Sequence, residues 1–138
     1  PLDPARWEDG RPMLLGGLRR HHAFADAARD IPAQWREFAA TLPLPGQRGT
    51  VSYGVVCGSS PGQGTFEYMC AVEVEALDAL PAGTGKMRVP AQRYAVFVHD
   101  AGIASIRATW DAIWHDWLPR SGARPANTPD FERYDERY

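Results

Sequence analysis

Phe66-Glu67-Tyr68-Met69-Cys70-Ala71-Val72-Glu73-Val74 is the stretch from which the fold can be read. Side chains alternate across a strand, so Phe66, Tyr68, Cys70, Val72 and Val74 share one apolar face, while Glu67 and Glu73 point to the other. Val51–Cys57 upstream is a second apolar run. Between them, Gly58-Ser59-Ser60-Pro61-Gly62-Gln63-Gly64 has the composition of a turn. The two runs are expected to form an antiparallel hairpin centred near Pro61-Gly62, with Tyr53 facing Cys70 and Cys57 nearer Phe66. In that register the two cysteines of the chain are too far apart for a bridge. Both are read as buried free thiols, as in a reducing cytoplasm.

Working outward, Met13-Leu14-Leu15-Gly16-Gly17-Leu18 reads as a strand, with Arg19-Arg20-His21-His22 carrying the chain out of it. Over Phe24–Leu42 the apolar residues Phe24, Ala27, Ala28, Ile31, Trp35, Phe38 and Leu42 recur at helical spacing. Pro32 is expected in the first turn of the main helix behind Asp30 as its N-cap, and Pro43 and Pro45 end it. Pro81–Gly85 is a turn-rich connector, and Ala91–His99 alternates as a further strand. A second helix over Ile103–Leu118 carries the stripe Ile103, Ile106, Trp110, Ile113, Trp114 and Trp117, closed by Pro119 and Gly122. Asp130-Phe131-Glu132-Arg133-Tyr134 is the last readable segment. The i, i+4, i+7 sets Ile31/Trp35/Phe38 and Trp110/Trp114/Trp117 echo one another, and both helices end in Leu-Pro. The expected fold is therefore α+β: tandem strand–helix–strand–strand units, with two main helices on a curved, largely antiparallel sheet. Nothing after Tyr134 supplies the final strand of the second copy.

The 138 residues suit one domain that buries roughly two-thirds of its unfolded surface. A net charge of -2 offers no basic excess for nucleic acid, and no apolar run is long enough to span a membrane. Gly83-Thr84-Gly85-Lys86 imitates the end of a phosphate loop, but Leu80 and Met87 occupy its first-glycine and Ser/Thr positions, and a strand follows. No Cys-x-x-Cys, His-Glu-x-x-His or Gly-x-Ser-x-Gly occurs, so no metal or cofactor is indicated. His21 and His22 are expected to be solvated, and His99 and His115 to be surface or capping groups. Aromatic residues make up 11% of the chain, more rings than two short helices and one sheet need for packing. On a strand, Glu132 and Tyr134 point the same way, and a carboxylate beside a tyrosine can hold an organic cation.

Several blocks resemble the GyrI-like small-molecule-binding domain, the effector module of AraC- and MerR-type multidrug regulators that also occurs alone. They are Ile31-Pro32-Ala33-Gln34-Trp35 with Phe38, Tyr53-Gly54-Val55, Phe66-Glu67-Tyr68-Met69, Val89–Phe97, Thr109-Trp110, Ile113-Trp114, Trp117-Leu118-Pro119, and Asp130–Tyr134. The resemblance implies a duplicated fold with a cleft between its halves for hydrophobic, cationic or aromatic compounds. It places the cleft carboxylate at Glu132, with Tyr134 beside it, Tyr53, Phe66 and Tyr68 lining the cleft, and Trp110 and Trp114 as walls. The family has one more strand after this segment, and its regulators carry a DNA-binding module; a missing last strand would leave an edge open to a homodimer. Two other readings use the same residues. One is a hydrolase of strained cyclopropane-containing genotoxins, with Glu132 (or Glu67) positioning water beside Trp110 and Trp114. The other is a gyrase-binding interaction module.

Overall fold

A computed structural model describes residues 1–102 and 105–135, so Ile103, expected to open the second helix, lies outside the described residues. Contacts group the chain into two units, one of Pro1–Arg11 with Ala91–Asn127 and one of Pro12–Pro90 with Thr128–Tyr138.

The second of these is built on a five-stranded antiparallel sheet in the order β5-β2-β4-β3-β7. Its strands are β2 (Met13–Ala23), β3 (Gln47–Ser60), β4 (Thr65–Val74), β5 (Gly85–Val89) and β7 (Phe131–Tyr134). The alternation in β4 sorts the core onto two faces as expected. Phe66, Tyr68, Cys70, Val72 and Val74 lie on the face shared with Phe38, Leu44 and Leu80, and helix α1 (Ala27–Ala39) packs there through Ile31 and Trp35. Leu15, Tyr53, Val55, Met69, Ala71 and Val89 lie on the other face with Phe131 and Cys57. The thiols thus sit on opposite faces of one sheet, which excludes a bridge between them.

Four expectations are corrected here. Strand β2 does not end at Leu18 but pairs with β4 as far as Ala23↔Thr65, held by the Arg19–Glu67 ion pair at 2.6 Å. His22 is consequently buried rather than solvated, whereas His21 is exposed. In the hairpin Tyr53 faces Ala71, and Gly54 faces Cys70, with a β-bulge between Val56 and Gly58 absorbing the extra residue. Helix α1 follows directly from a 3-10 turn at Phe24–Asp26, so Pro32 is interior and Asp30, paired outward with Arg29, is not its cap.

The other unit contains β1 (Arg6–Gly10), paired antiparallel with β6 (Gln92–Val96) from Arg6↔Val96 to Gly10↔Gln92. Its helical segment begins as α2 (Ile106–Ala112), loosens into a π turn over Ile113–Trp117, and finishes as α3 (Leu118–Ser121). Gly122, at φ 72°, adopts the left-handed conformation that ends such helices without a Cβ penalty. Trp117 is the buried anchor of this unit, 6.1 Å from the Trp7 ring and 5.0 Å from Phe97, and Arg93 lies 4.9 Å over Trp7. His99 bonds to Gly102 O at 2.6 Å and to Thr109 Oγ1 at 2.7 Å.

Candidate functional site

Glu132 is the point on which the polar groups of the α1 face converge. Strand pairing places Gly54 between Cys70 on β4 and Glu132 on β7, three residues in one row across the sheet. Side chains in a row point the same way, so Glu132 projects toward α1. Tyr68 donates its hydroxyl to Glu132 Oε1 at 3.0 Å, and Tyr134 donates to the same oxygen through a very short bond. Two charge-assisted donors stabilise a partly buried carboxylate that water hydrates incompletely. Tyr68 is 3% exposed, and burial first, then the Glu132 charge, push its phenol well above the usual tyrosine range. It is therefore a donor at any physiological pH.

Trp35 closes this group from the helix. Its ring meets Tyr134 edge-on at 5.6 Å and 83°, and Tyr68 at 6.3 Å and 71°. The indole Nε1–H is buried with no acceptor in hydrogen-bond geometry. It nonetheless stands close enough to the Tyr68 hydroxyl to oppose part of that phenol's upward shift. Its neighbour Gln34 pins α1 to the sheet. The amide donates to Leu18 O at 2.9 Å and Tyr68 O at 3.0 Å, while its oxygen accepts from His22 Nε2 at 2.5 Å. Since Gln34 presents an oxygen to that ring, Nε2 carries the hydrogen. Cys70, behind Glu132 in the row, has its thiol pushed up to about 12 by burial and then by the Glu132 charge.

The remaining residues expected at the site divide as follows. Phe66 shares the α1 face with Tyr68 and stacks against Phe24 at 5.1 Å, with His22 at 5.6 Å on its other contact. Tyr53 is not brought to Glu132: it lies on the opposite sheet face, edge-on to Phe131 at 5.4 Å. Trp110 and Trp114 belong to the other unit, on α2 and the π turn, with Trp114 40% exposed. Glu67 is committed to Arg19, which lowers its carboxyl below the usual range. Trp35, part of the helical stripe, comes to this group by the packing of α1, and Gly54 by the pairing of distant strands.

A groove of about 260 Å³ opens beside β2 and β5, lined by Pro12, Met13, Leu14, Arg88, Val89 and Pro90. Apart from Arg88 its walls are apolar, and none of the residues around Glu132 lines it. Among the described residues no His, Cys, Asp and Glu cluster could hold a metal ion, and no helix is long and apolar enough to cross a membrane. Gly85 and Lys86 open β5, so the phosphate-loop imitation has no helix N-terminus behind it.

Comparison with known proteins adds three findings. The model of the family described as GyrI-like small molecule binding domain matches residues 7–138. The transcriptional regulator BrlR of Pseudomonas aeruginosa is 39% identical over 88 residues, which are 64% of this chain and 32% of the regulator. The chain thus spans about a third of that relative's length. Among solved structures, SAV2435 bound to tetraphenylphosphonium superposes with a TM-score of 0.72 at 16% identity, covering 95% of this chain and 82% of that one. The Vibrio cholerae integron cassette protein VCH_CASS2 superposes with a TM-score of 0.66 at 17% identity, covering 98% and 90%. At these identities the likeness is one of α+β fold.

Proposed function

From the premise that this chain belongs to the GyrI-like small-molecule-binding family, we propose that it binds lipophilic organic cations at Glu132. The observation that carries this reading is the carboxylate set among Tyr68, Tyr134 and Trp35. Rings offer broad, geometrically tolerant contact and a cation–π attraction, and a single negative charge selects positive ligands over neutral ones of the same shape. The bond from Tyr68 and the bond from Tyr134 hold the carboxylate in a fixed orientation, so the ligand meets a group already in place. The tetraphenylphosphonium held by SAV2435 is a ligand of the class this chemistry suits. We further propose that the domain serves as the effector-sensing part of a longer transcriptional regulator. This draws on its identity with BrlR, and the DNA-binding function would lie outside this chain.

The test is a tryptophan-fluorescence titration with tetraphenylphosphonium and with neutral triphenylphosphine oxide, in wild type and Glu132→Gln. The cation should bind the wild type at least about tenfold more tightly than the neutral compound, and that preference should vanish in Glu132→Gln. Equal binding of both compounds by the wild type, or a preference that survives in Glu132→Gln, refutes the reading.

A further inference from the structure

Gly54 lacks a side chain at the place where Tyr68 crosses the sheet row to reach Glu132. A Cβ built on Gly54 would fall on the Tyr68 hydroxyl, 2.9 Å from its Cζ and 2.8 Å from Glu132 Oε1. The position does not have a positive φ, so its backbone makes no demand for glycine. What needs the space is the phenol, and a glycine inside a strand commonly marks such a close approach. The vacancy therefore has a function distinct from strand formation, which it weakens.

We propose that Gly54 is a positioning residue that, acting through Tyr68, decides which organic cations Glu132 accepts. The ligand class rests on the cation reading above. With Gly54 in place, both phenols donate to Oε1, and that oxygen receives its hydrogen bonds from the protein itself. A quaternary cation has no N–H to satisfy and pairs with the carboxylate by charge and ring contact alone, leaving both bonds intact. A primary ammonium brings three donors. Oε2 can accept from such a group, but with Oε1 already taking both phenols, the remaining donors must displace a phenol or be buried unpaired among these rings, and either course is costly. A side chain at position 54 lifts the Tyr68 hydroxyl away and reopens Oε1 to a ligand donor. Selectivity between quaternary and primary cations thus depends on a residue that touches neither.

The experiment compares wild type, Gly54→Ala, Tyr68→Phe and the double variant. Calorimetry measures binding of 4-phenylbutyltrimethylammonium and 4-phenylbutylammonium, and urea unfolding of the same proteins supplies a ligand-free double-mutant cycle. The wild-type preference for the quaternary cation should fall about tenfold, the worth of one hydrogen bond, in either single variant, and no further in the double. In the cycle, Gly54→Ala should cost clearly less stability in the Tyr68→Phe background than in wild type. An unchanged preference in folded Gly54→Ala, or an equal stability cost in both backgrounds, overturns the proposal. Should Gly54→Ala alone not fold, rescue by Tyr68→Phe supports the coupling, and failure of the double variant overturns it. A coupled cycle in a wild type that binds neither cation overturns the cation reading and leaves the placement of Tyr68 by Gly54 supported.

Discussion

Replacing Gln34 by leucine tests how the helix bearing Trp35 is held to the strand bearing Tyr68. Gln34 is 3% exposed, and its side chain makes hydrogen bonds to Leu18 O, Tyr68 O and the 7% exposed His22. Leucine fills nearly the same volume, so the cavity contribution is small and the change is mainly one of hydrogen bonding. Each bond lost removes about 1 kcal/mol, and leaving the His22 N–H buried without an acceptor costs about 1–3 kcal/mol. The added apolar burial returns about 1 kcal/mol. The expected loss is about 3–5 kcal/mol, which lowers the melting midpoint of a chain this size by about 10–17 °C. Urea unfolding followed by far-ultraviolet circular dichroism measures it, with His22→Ala and the double variant completing a cycle. Because the His22 bond is counted in both single variants, the double should be less destabilised than their sum by at least about 1 kcal/mol. A loss under about 1 kcal/mol in Gln34→Leu, or strict additivity with His22→Ala, would show that the amide does not join helix to sheet in this way.

Two further outcomes follow from the burial pattern. The Cys70 thiol, ordinarily titrating near 9.0, is held protonated up to about 12 by the fold. The unfolded chain therefore releases that proton first, and stability must fall as pH rises from about 9 to 12, by at most about 1.4 kcal/mol per pH unit for this group. Unfolding midpoints at pH 7, 9 and 10 should show this decline, shallower in Cys70→Ala; identical slopes in the two proteins would rule it out. Pro32 interrupts the hydrogen-bond ladder inside α1, so Pro32→Ala should restore a backbone donor and raise stability by about 1 kcal/mol or more. No gain on urea unfolding would mean that the helix had already adjusted to the proline.

The α+β character was legible because β4 buries a wide face and both helical segments carry apolar stripes, which leave a regular apolar period. The hidden elements are too short to show that period clearly. Strand β1 is Arg-Trp-Glu-Asp-Gly and largely exposed, and β5 alternates Lys86 and Arg88 with Gly85, Met87 and Val89 over only five residues. The bulge beside Cys57 shifted the hairpin by one residue, a change that alternation alone does not reveal. Glu132 and Tyr134 could be seen as a pair because they are two residues apart. Trp35, Tyr68 and Gly54 come to them only through packing and strand pairing far along the chain, which leaves no local pattern. For the same reason Tyr53 looked equivalent to Tyr68, although one strand position carries it to the opposite face.

Strand β7 has four residues and occupies the edge of its sheet, joined in the strand ladder to β3 from Val55↔Phe131 to Ser52↔Tyr134. Glu132 thus stands on a strand whose opening breaks few backbone bonds, and short edge segments exchange their amide hydrogens by such local opening. The phenol of Tyr68 is a tie between this strand and the buried β4. On the proposed function, occupancy of the carboxylate and closure of the strand would be linked equilibria: a ligand that needs Glu132 in place would contribute its binding free energy to keeping β7 shut.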